Sequence, residues 1–62
     1  MTPKYHDIRA ILVGLTNDSA DLRIGDVRMW VKKTDMSYAS WYLLQETIPG
    51  KAVDLKVMSR AL

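Results

Sequence analysis

The sequence predicts an all-β fold, a small five-stranded antiparallel barrel or sandwich built by residues 1–62 as a single domain. Three observations predict it. Two tight-turn signals, Asn17-Asp18 and Gly25-Asp26, bound a segment whose apolar residues match those on both sides. The third is "AVDLKV", which follows Pro49-Gly50 and alternates Val53, Leu55 and Val57 with Asp54 and Lys56.

The first strand is "DIRAILVGLT", rich in β-branched and aliphatic residues and closed by "NDS". With Asn17 and Asp18 as loop residues, Leu15 faces Ala20, Val13 faces Leu22 and Ile11 faces Ile24. Gly25-Asp26 suits a type II′ loop with glycine first, and its register sets Ile24 against Val27, Leu22 against Met29 and Ala20 against Val31. Both hairpins then bury the same face of the middle strand, whereas a slip of one residue would push Arg23 or Asp21 inward.

The pattern breaks from Thr34 to Ser40. For "SWYLLQET" a strand is the preferred reading, with a helix begun from an Asp35 cap as the alternative, because a short apolar run does not fix the period. Folding the last strand back around Pro49-Gly50 sets Leu44 near Leu55 and Tyr42 near Val57. The result is a barrel of SH3-like or OB-like size, with room for one short helix around residues 35–46.

Composition narrows function. At 62 residues the chain lies near the lower limit for folding on hydrophobic packing alone, and without cysteine it has neither a disulfide framework nor a thiolate metal site. Self-association into a homo-oligomer is therefore expected. A net charge of +2 is too small for binding nucleic acid by charge alone, so such binding would need a local patch. No apolar run approaches the roughly 18 residues of a membrane span. The start "MTPKYHDIR" lacks the apolar segment of a secretory signal, so the expected location is cytoplasmic, with no membrane partner. Asn17-Asp18-Ser19 fits the glycosylation pattern but reads as turn chemistry.

At "VRMWVKKTDM" the chain resembles a group of short, mostly uncharacterised bacterial and phage β proteins. Their third strand carries Trp-Val/Ile-Pro-Lys/Arg-Ser after a glycine-bearing hairpin. The likeness covers roughly residues 8–36 and includes the strand Ala10-Ile11-Leu12-Val13 and the pair Ala20 and Leu22; Lys32 and Thr34 stand where the group has proline and serine. The resemblance implies a small β fold and, for a phage-type protein, action by binding a host protein.

Two surfaces are candidates for function. On the outward face of the hairpin, Trp30 lies among Arg23, Arg28, Lys32 and Lys33, a set suited to stacking a base of single-stranded nucleic acid beside its phosphates. Asp21 and Asp26 oppose that reading, and the competing one has Trp30 lying over Gly14 in a minor core or a subunit contact. The second candidate is the aromatic group Tyr38, Trp41 and Tyr42, of the residue types that dominate protein interfaces. Catalysis is not expected: His6 is the lone histidine, read as a local ion pair with Asp7, and neither a nucleophile set nor a metal-ligand spacing is present. The expected function is therefore non-enzymatic and cofactor-free, regulation through protein–protein contacts, with single-stranded nucleic-acid binding as the alternative.

Overall fold

The computed structural model describes residues 4–62. It contains four strands, β1 (Tyr5–Leu15), β2 (Ser19–Ile24), β3 (Val27–Lys32) and β4 (Ala52–Met58), one helix, α1 (Tyr38–Glu46), and short 3₁₀ turns at Lys33–Asp35 and Ser59–Ala61. The strands form one antiparallel sheet in the order β3-β2-β1-β4. This is a mostly β fold, but the sheet is open and four-stranded. The fifth strand expected over residues 40–47 is a helix.

Local chemistry explains that correction. Ser37 is the N-cap, its Oγ accepting the Ser40 N–H at 3.2 Å, so the helix starts from Ser37 rather than Asp35. With the helix in place, Leu44 still joins the core with Leu55, whereas Tyr42 stays exposed and Val57 pairs with His6 and Met36 instead. The helix is held to β4 by its second serine. Buried Ser40 accepts the Lys56 backbone N–H at 2.8 Å and the Ser37 hydroxyl at 2.8 Å, and the Ser37 N–H donates to the Lys56 carbonyl at 2.9 Å. These bonds occupy backbone groups that an edge strand would otherwise leave bare.

The β2–β3 hairpin has the expected register, with Ile24↔Val27, Leu22↔Met29 and Ala20↔Val31. Gly25 carries φ +61 and Asp26 does not share the positive φ, as a type II′ loop requires. The β1–β2 register is corrected. Leu15 does face Ala20, but the pairing then passes from Gly14↔Asp21 to Leu12↔Leu22, leaving Val13 as the extra residue of a β-bulge. Val13 therefore does not face Leu22, and Ile11 faces Arg23 instead of Ile24.

The bulge decides which side of β1 is buried. Before it, Ala10 and Leu12 point into the core with Ala20, Leu22, Val31, Met36, Leu44, Val53, Leu55 and Val57. β4 buries Val53, Leu55 and Val57 as its alternation predicts, but it pairs with β1, from Tyr5↔Met58 to Ile11↔Ala52, instead of folding back on residues 40–47. The turn before it is type II, with Pro49 at its first corner, Gly50 at φ +96, and the Lys51 N–H donating to the Ile48 carbonyl at 3.1 Å. A single bridge, Met36↔Val57, carries the chain leaving β3 to the outer side of β4.

Candidate functional site

Helical spacing builds the site. Residues 38, 41, 42 and 45 lie three and four apart, so Tyr38, Trp41, Tyr42 and Gln45 share one side of α1, while Ser40 and Leu44 point inward. The shared side forms one wall of an open groove of about 590 Å³, completed by Tyr5, Lys33 and Met36. Its volume lies within the range of small-ligand and peptide-anchor pockets. Trp41 is half-buried, one part against the core and another lining the groove.

The two tyrosines touch each other. Their ring centroids are 4.7 Å apart at an interplanar angle of 69°, an edge-to-face contact, and the Tyr38 hydroxyl donates to that of Tyr42 at 3.1 Å. That hydrogen bond, followed by desolvation, raises the Tyr38 pKa above the ordinary phenol value. Both rings nonetheless face solvent, Tyr38 at 75% and Tyr42 at 55% exposure. Two large rings in edge-to-face contact are thus left uncovered on one side of α1.

All three residues expected at a protein interface, Tyr38, Trp41 and Tyr42, thus line one groove. Tyr5, Met36 and Gln45 were not among the candidates. Tyr5 lies more than thirty positions away in sequence, and the β1–β4 pairing brings it there. Met36 and Gln45 join through the bridge to β4 and through the helix, which strand periodicity would have hidden.

The basic candidates divide between two places. Arg23, Arg28, Trp30 and Lys32 lie on the sheet face opposite the core, with Asp21↔Trp30 and Gly14↔Asp21 paired as the sequence indicates. Lys33 instead lines the aromatic groove. Trp30 is 60% exposed, so among the described residues it does not close a minor core. Its neighbour Arg28 is engaged within the sheet, its Nε donating to both Asp21 carboxylate oxygens at 3.0 and 3.1 Å and its terminal nitrogen at 2.5 Å.

Asp21 is 3% exposed. The Arg28 hydrogen bonds hold its carboxyl below the ordinary carboxylate range, against the opposing effect of burial, and raise the guanidinium in turn. One cation of the patch is therefore neutralised by the chain itself. At the far end of the sheet, His6 Nε2 lies 2.6 Å from Ser59 Oγ, and Asp7 pairs with Lys56 at 2.8 Å, so His6 and Asp7 do not pair with each other. Among the described residues no three His, Cys, Asp or Glu side chains gather as a metal-binding group would. Among the described residues no helix is long and apolar enough to cross a membrane.

Compared with protein-family models, curated proteins and solved structures, the chain matches none. What the fold and the site define is a four-stranded antiparallel sheet with one helix, carrying an aromatic groove where that helix meets the ends of the sheet.

Proposed function

We infer that the protein is a non-enzymatic binding module that takes a short apolar segment of a partner protein into the groove formed by Tyr5, Met36, Tyr38, Trp41 and Tyr42. The observation that carries this reading is the pair of exposed, mutually fixed tyrosines beside a half-buried tryptophan. Aromatic side chains that are already ordered lose little conformational entropy on binding and offer large apolar area, which is why they anchor protein interfaces. Lys33 at the groove favours a partner segment with an acidic flank. The likeness of residues 8–36 to short phage-type proteins supports the same reading.

The nucleic-acid alternative has weaker support, because Arg28 is committed to Asp21 and Lys33 belongs to the groove. The test is selection of displayed random peptides on the immobilised protein, followed by affinity measurements on variants. Selected peptides should be apolar or aromatic, and Tyr42→Ala should weaken them roughly thirtyfold, the loss typical of an interface anchor. Trp30→Ala should leave their affinity unchanged. Binding of single-stranded oligonucleotides that survives Tyr42→Ala and is lost in Trp30→Ala would replace this reading with the alternative.

A further inference from the structure

The two edges of the sheet are treated differently. On β4 the Lys56 backbone is bonded on its outer side by Ser37 and Ser40, and Met36 bridges to Val57. On β3 the ladder to β2 is closed by a two-residue loop, so the hydrogen-bonded pairs are Ile24↔Val27, Leu22↔Met29 and Ala20↔Val31. The Lys33 N–H donating to the Asp18 carbonyl at 2.8 Å continues the same phase. The backbone groups of Arg28, Trp30 and Lys32 therefore point away from the sheet, and among the described residues no hydrogen bond meets them.

We propose that this edge pairs with the β3 of a second copy, antiparallel, about a two-fold axis at Met29. The charge pattern selects both the occupant and the register. Outward groups must meet outward groups, which restricts the axis to Arg28, Met29 or Trp30 if most of the strand is to overlap. Only an axis at Met29 brings an acid opposite Lys32: an axis at Arg28 leaves Lys32 beyond the end of the other copy's β3, and one at Trp30 sets it against Arg28. An axis at Met29 sets Asp26 against Lys32 and Arg28 against the Trp30 ring, and Val27 against Val31.

Two copies paired this way bury what the single chain leaves exposed on β3. Val27 is 63% exposed although it lies on the apolar face, and Trp30 stands uncovered on the other. The Arg28 guanidinium is bonded to Asp21, which pairs with Trp30 on the same face, so it stands near where the incoming indole would lie. This use of Trp30 involves no residue of the aromatic groove, so it stands or falls independently of the proposed function.

Sedimentation equilibrium at tens of micromolar tests it. The wild type should be a dimer. Lys32→Glu and Asp26→Lys should each weaken the dimer by about tenfold or more, since each turns two attractive pairs into repulsive ones. The double variant should restore it, because the reversed charges again face each other. Met29→Cys keeps the native charges and should oxidise to a covalent dimer with an unchanged circular dichroism spectrum, which decides the matter if a charge variant does not fold. A monomeric wild type, a dimer indifferent to the single reversals, a double variant no better than the singles, or a Met29→Cys chain that stays monomeric on oxidation would each overturn the proposal.

Discussion

Leu22 is the residue on which the sheet depends most directly. It is fully buried at the centre of β2, paired with Leu12 on one side and Met29 on the other. Leu22→Ala should destabilise the protein by about 2–5 kcal/mol, the cost of a lost side chain plus a cavity that packed neighbours cannot fill, read as a fall in melting temperature. Ser40 matters for a different reason. Its hydroxyl accepts the Lys56 N–H inside the protein, so Ser40→Ala leaves that donor unpaired and should cost about 1–3 kcal/mol, with Cys in place of Ala recovering little because sulfur is a poor acceptor. Asp21 makes stability depend on pH. Its carboxyl is held below its unfolded value by Arg28, so its contribution is fully present above the ordinary carboxylate pKa and is lost as pH falls through the lower, folded value. Asp21→Asn should therefore flatten the acid side of a stability-against-pH curve while leaving its alkaline side in place. The exposed Arg28 keeps the pair partly in water, so high salt should reduce the difference.

At the scale of elements, α1 carries the site and β1 carries the surprise. Tyr42→Ala removes an exposed ring whose main partner is another exposed ring, so it should cost no more than about 1 kcal/mol of stability while weakening groove binding roughly thirtyfold. The three aromatic residues were legible in the sequence as candidates, but their geometry was not, because strand and helix place them differently. As a strand, Tyr38 and Tyr42 share a face and Trp41 lies on the other. As a helix, 38, 41, 42 and 45 form one stripe, and the serine at 37 decides for the helix. β1 was ambiguous for a physical reason too, since Ile8, Ala10 and Leu12 are as apolar as Ile11 and Val13. Side-chain pattern alone could not choose its face. The bulge at Val13 lets Leu15 keep its expected partner while Leu12 takes Val13's place beside Leu22. The β2–β3 hairpin and β4 were legible because each has one polar face and one apolar face, so a register error would bury a charge.

For the whole molecule, one sheet and one helix leave two surfaces uncovered among the described residues, and the two proposals give each its own use. The helix shields the β4 edge and forms the groove; β3 keeps its edge free and carries Trp30. The closed five-stranded arrangement expected from strand counting would have hidden both, and the exchange of its fifth strand for α1 is what creates the groove. If the surfaces act separately, a Lys32→Glu variant that sediments as a monomer should bind groove peptides with the wild-type affinity per chain. The proposed meeting place of this protein and its partner is the groove. It is tested most directly by titrating a groove-selected peptide into the ¹⁵N-labelled protein and following backbone amide shifts. The largest changes should fall at Tyr5, Lys33, Met36, Tyr38, Trp41, Tyr42 and Gln45, with Arg23, Arg28 and Trp30 unmoved. Changes centred on Arg23, Arg28 and Trp30 with the groove residues unmoved would contradict it.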